Sequence, residues 1–95
     1  MKAELLIDER HLLDDSTFVE IVVWQVPRSV RGSRHRFKYQ LVLVRDGVCV
    51  LRYDNEAGKG DHRHLGSAQE RYVFTDTDTL LTDFCRDVAN VESMK

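Results

Sequence analysis

The spacing of apolar residues changes along the chain, and each change predicts a different element. Near the N-terminus, "KAELLIDERHLLDD" sets short apolar runs between charges, and Asp14, Asp15 and Ser16 supply side chains that favour a turn. A strand is expected over Ala3 to Ile7, continuing through His11 past a kink. "TFVEIVVWQV", Thr17 to Val26, is dense in β-branched and aromatic residues. It stops at Pro27, which has no amide hydrogen to continue a ladder, so it reads as a strand.

"RSVRGSRHRFK" then brings Gly and Ser breakers and five cationic side chains, Arg28, Arg31, Arg34, Arg36 and Lys38, and is expected to be a loop that enters a strand. "HRFKYQLVLVR" alternates, with Phe37, Tyr39, Leu41 and Leu43 on one side. Asp46-Gly47 follows, and then "VCVLRYD"; a two-residue Asp-Gly turn between β-rich runs is a strong hairpin signal. Regular antiparallel counting from that turn sets Arg45 opposite Val48, Leu43 opposite Val50, Leu41 opposite Arg52 and Tyr39 opposite Asp54. Arg52, Tyr53 and Asp54 thereby reach the mouth of the next loop.

That loop is "YDNEAGKGDHRHLG", Tyr53 to Gly66, and it holds two of the four histidines. "ERYVFT" after it reads as a short last strand. In "TDTDTLLTDFCRDVANVES" the period changes: Leu80, Leu81, Phe84, Cys85, Val88 and Val91 recur at helical spacing, with Thr77 and Asp78 ahead of them as capping oxygens. The expected fold is α+β, a twisted antiparallel sheet of about five strands with the C-terminal helix packed across one face. With 95 residues, 42% of them hydrophobic, the chain supports one domain over residues 1–95 and one core. Trp24, Phe37, Tyr39 and Phe84 are assigned to that core and Cys49 and Cys85 to buried positions, while His11 and His35, among charges, are assigned to the surface.

No run approaches the about 18 apolar residues of a membrane span, and "MKAELLIDER" meets acids too early for a signal peptide. A soluble, cytoplasmic protein in a reducing compartment is expected. The net charge of −2 hides a split: residues 1–20 hold six acids and two bases, residues 28–75 ten bases and five acids, and residues 76–95 five acids and two bases. A basic middle suits an anionic partner such as RNA, whereas a pI near 6.0 argues against an indiscriminate nucleic-acid binder.

His62 and His64 are two apart, so in an extended segment they share a face while Asp61, Arg63 and Leu65 share the other. Three readings of the loop stand side by side. It is a solvated turn; or the histidines exchange protons with a phosphodiester while Lys59, Arg63 and Arg52 stabilise the charge; or the pair binds a transition metal with Asp54 or Asp61. In the second reading Asp54 or Asp61 orients a histidine, no metal or cofactor takes part, Arg28 to Lys38 hold flanking phosphates, and Tyr53, Tyr39 or Tyr72 stacks on bases. The glycines and lysine lack the spacing of a phosphate-binding loop, and no helix follows them directly.

The sequence also resembles a known family. "FVEIVVWQVP", "RFKYQLVLVRDGVCVLRYDN", "YDNEAGKGDHRH" and "FTDTDTLLTDF" look like the TumE-type toxins of prokaryotic toxin–antitoxin modules, over about residues 3–90. Asp54, Asn55, Lys59, Gly60, Asp61, His62 and His64 match the family's most specific motif. The resemblance implies a toxin whose partner is a helix-turn-helix antitoxin. Two functions are expected as alternatives: a metal-independent endoribonuclease acting on free or ribosome-bound RNA, and a non-enzymatic protein that docks on an antitoxin or cellular target through its basic loop and sheet edge.

Overall fold

The computed structural model describes residues 2–55 and 60–94. Six strands, β1 (Glu4–Asp14), β2 (Thr17–Gln25), β3 (Phe37–Arg45), β4 (Val48–Asp54), β5 (His62–Leu65) and β6 (Ala68–Arg71), lie side by side in sequence order. All neighbours are antiparallel, and the helix α1 (Thr77–Glu92) follows. The α+β class stands, with one strand more than expected. The extra strand is β5, because the histidine segment read as loop is an extended strand paired on both sides. The final strand ends at Arg71 rather than running through "YVFT".

Alternation along β2 and β3 builds the core. Val19, Ile21 and Val23 face the same side as Tyr39, Leu41 and Leu43, and all six are buried. Leu80 and Phe84 of α1 close this face, and the Phe84 ring meets Tyr53 edge-on at a centroid distance of 5.7 Å. Burying side chains of this size contributes about 1.5–3 kcal/mol each. Asp76, one residue before the expected caps, accepts from the Thr79 amide at 2.7 Å and starts the helix. Those bonds hold its carboxyl below the usual carboxylate range.

The hairpin between β3 and β4 turns where expected, with positive φ at both Asp46 (52°) and Gly47 (76°), as a two-residue turn of this hand requires. Its register departs from regular counting after the first pairs. Val44 faces Cys49 and Leu43 faces Leu51, so Val50 is an extra residue, a β-bulge. Beyond it Leu41 pairs with Tyr53, Val42 with Arg52 and Gln40 with Asp54. Regular counting would have pressed Arg52 against Leu41 in the core; the bulge sends Leu51 and Tyr53 inward and Arg52 and Asp54 to the uncovered face.

Other expectations are corrected by the same geometry. Trp24 lies half-buried on the uncovered face opposite Lys38, because it alternates with Val23. Both cysteines are exposed: Cys49 falls on the uncovered face and Cys85 on the outer side of α1. His35 is not a surface residue; its ring stacks on Phe74 at 3.8 Å and reaches the Asp61 carboxylate. His11 is exposed, as expected.

Candidate active site

Antiparallel neighbours share a face, so the register assembles the site strand by strand. His62 stands beside Asp54 and, on its other flank, Arg71; His64 stands beside Arg52 and Gln69. One step further into the sheet, Asp54 neighbours Gln40 and Arg52 neighbours Val42. These residues form two parallel rows across β3 to β6 on the side that α1 leaves uncovered. The two imidazole rings are 6.3 Å apart between centroids, and both are half-buried.

The hydrogen bond at His62 settles its tautomer. Nδ1 lies 2.9 Å from the Gly60 carbonyl, which can only accept, so Nδ1 carries the hydrogen and Nε2 is free to exchange a proton. His64 is held below the ordinary histidine range, first by burial and then by the Arg52 guanidinium beside it. It is therefore neutral at physiological pH. Arg52 Nε approaches Asp54 Oδ2 to 3.0 Å, an ion pair along one strand face. The Asp54 carboxylate thus meets Arg52 rather than a ring nitrogen.

The remaining sequence candidates divide. Arg28, Arg31, Arg34, Arg36 and Lys38 are all exposed, the first four in the segment before β3 and Lys38 on β3 itself. Lys59 lies outside the described residues. Arg63 points to the helix side, where Nε donates to Asp87 at 2.7 Å and a terminal nitrogen to Glu70 at 2.6 Å. Strand alternation separates it from the histidines, so it is not part of their constellation. Tyr53 is 1% exposed and Tyr39 fully buried, which leaves neither ring a face for a base. Among the described residues, no group of three or more His, Cys, Asp or Glu side chains is arranged to hold a metal ion.

Asp61 has a different task from the one expected. Its carboxylate accepts from Ser33 Oγ and Tyr39 Oη, both at 2.6 Å, and meets His35 Nε2 at 2.7 Å. The other nitrogen of His35 accepts the Phe37 amide at 3.2 Å, so this histidine is fully engaged in structure. Asn55, fully buried, completes the junction: Oδ1 accepts the Tyr39 amide at 3.0 Å, and Nδ2 donates to the Phe37 carbonyl at 2.7 Å. A side-chain amide thus continues the ladder where β4 has ended. Sequence reasoning missed His35, Ser33 and Gln40, whose partners are far away in the chain.

The comparison with protein families decides the identity: the model described as Toxin TumE matches residues 2–92. The chain belongs to the TumE toxin family. It is the toxin component of a toxin–antitoxin module, with an antitoxin as its partner. No curated protein and no solved structure matches it. No helix among the described residues is long and apolar enough to cross a membrane. A cleft of about 520 Å³ lies on the helix side away from the histidines. Arg45 and Arg63 on its wall are paired with Glu92 and Asp87. Smaller clefts of about 240 Å³ beside His64 and about 460 Å³ at Gly60 and Arg71 flank the histidine pair instead.

Proposed function

We propose that the toxin is a metal-independent endoribonuclease in which His62 and His64 exchange protons with the RNA backbone. The observation that carries the reading is the pair itself: two imidazoles side by side on an uncovered sheet face, with a guanidinium at hand. His64, kept neutral, takes the proton from a 2′-hydroxyl. The resulting O2′ attacks the adjacent phosphorus, the P–O5′ bond breaks, and His62 Nε2, protonated beforehand, gives its proton to O5′. The products are a 2′,3′-cyclic phosphate and a 5′-hydroxyl.

Arg52 stabilises the charge that accumulates on the phosphorane oxygens, and Asp54 holds Arg52 in place. Lys59 joins it through the motif that the family resemblance carries, and the exposed cations from Arg28 to Lys38 hold flanking phosphates. The resemblance also supports an antitoxin of the helix-turn-helix type and a site of action in the cytoplasm. RNA, free or on the ribosome, is the target.

The test is to induce wild type and a His62→Ala/His64→Ala variant at matched soluble levels, following growth and mapping new RNA ends. Wild type is expected to arrest growth and to leave ends bearing cyclic phosphate, and the variant to do neither. Growth arrest by both proteins without new RNA ends would replace catalysis with toxicity by binding.

A further inference from the structure

Beside His62, the end of β6, the start of β5 and the segment before β3 enclose the cavity of about 460 Å³. That lies within the about 300–1,000 Å³ range of sites that hold small ligands. Its walls carry two guanidiniums, Arg34 and Arg71, both exposed. Neither has an ion-pair partner among the described residues. Arg71 is also the register neighbour of His62 across β5 and β6. Arg71 therefore links the cavity to the histidine pair.

The single carboxylate in the lining, Asp61, makes no ion pair with either arginine among the described residues. Both Asp61 oxygens are taken, Oδ1 by Ser33 and Oδ2 by His35 and Tyr39, so two guanidiniums face the opening against one fully engaged acid. The floor is backbone. A Cβ on Gly60 would come within 2.9 Å of the Gly32 carbonyl oxygen, so the two segments touch with no side chain between them. Tyr72 and Phe74 supply an aromatic wall.

We propose that this cavity is the subsite for the nucleotide that flanks the scissile phosphate, with Arg34 and Arg71 on its phosphate group and single-stranded RNA as the ligand class. Guanidinium forks suit phosphate oxygens, and an aromatic wall suits any base. The inference rests on the ribonuclease reading of His62 and His64 for its placement, although the anion site itself can be tested without cleavage.

The experiment measures binding of a fluorescent 2′-O-methyl RNA oligonucleotide, which lacks the attacking hydroxyl, to purified wild type, Arg34→Ala, Arg71→Ala and the double variant. Arg86→Ala, an exposed position on the helix, serves as control, and circular dichroism confirms folding. Each cavity variant is expected to weaken binding about tenfold. The slope of log affinity against log salt should fall by about 0.7 for each arginine, and the control should match wild type. Cleavage of ordinary RNA by the same variants should show raised KM with kcat nearly unchanged. If no RNA is cut but binding still depends on Arg34 and Arg71, the subsite survives and the catalytic reading fails. If the double variant binds with wild-type affinity and salt slope, or if wild type does not bind the probe, the subsite is overturned.

Discussion

At the scale of single residues, His64 joins geometry to chemistry. Burial and the neighbouring Arg52 keep it neutral below the usual histidine range, so the acid limb of the cleavage rate should fall at a pH below about 6.5. A pH profile of kcat/KM on a defined RNA checks this, and Arg52→Gln should move the limb towards higher pH. The same shift has a consequence for stability. The unfolded chain takes up a proton at His64 near pH 6.5 and the native state only at lower pH, so this contribution is present above that value and lost as pH falls through it.

Asn55 and Gly60 make different demands. Replacing Asn55 by Ala strands the Tyr39 amide and the Phe37 carbonyl in a dry junction, at an expected loss of about 3 kcal/mol in urea denaturation. Gly60→Ala meets both a φ of +88° and the Gly32 carbonyl, and should lose at least about 1–2 kcal/mol. Because Gly60 also holds His62 Nδ1, that variant should lose activity even where it remains folded.

Among the elements, the bulge at Val50 decides which side chains of β4 meet the histidines. Deleting Val50 turns the β3–β4 ladder into a regular one, in which Leu51 and Tyr53 still face the core and Arg52 and Asp54 still face outward. The deletion variant should therefore fold and keep its activity, with Tyr53 fluorescence and amide exchange as readouts. The helix carries a second such choice. Asp87 sits on its buried side in line with Leu80 and Phe84, where it takes hydrogen bonds from Tyr53 Oη and Arg63 Nε.

Burial opposes the charge on Asp87, yet those two donors outweigh it and hold the carboxyl below its usual range. Its stabilising effect is present above about pH 4 and lost as pH falls. Asp87→Ala leaves the Arg63 guanidinium and a buried phenol short of their acceptor, for an expected loss of about 3 kcal/mol. An acid at this helix position could have been noticed from its spacing to Phe84. Which strand residues it would meet could not.

For the whole molecule, the three tyrosines act together. Burial raises all three phenols, assisted at Tyr39 by Asp61, at Tyr53 by Asp87 and at Tyr72 by Asp83. Each ionises near pH 10 in the unfolded chain and higher in the native state, so their stabilisation is whole below pH 10 and declines as pH rises past it. Tyrosinate absorbance should consequently stay low beyond pH 10 and rise together with the loss of the near-ultraviolet circular dichroism signal. An ionisation near pH 10 in the folded protein would contradict this arrangement.

What the sequence by itself determined is local. The Asp46-Gly47 turn, the alternation of β2 and β3, the apolar stripe of α1 and the common face of His62 and His64 all follow from residues within a few positions of one another. The tertiary structure alone decided the bulge, the extra pairing that makes the histidine segment a strand, and the partners of the charges. Asp61 finds His35 across 26 residues and Arg45 finds Glu92 across 47. Such pairings depend on which faces the folded sheet brings together, and a period of two or of 3.6 along the chain specifies the face of each residue but not its neighbour in space.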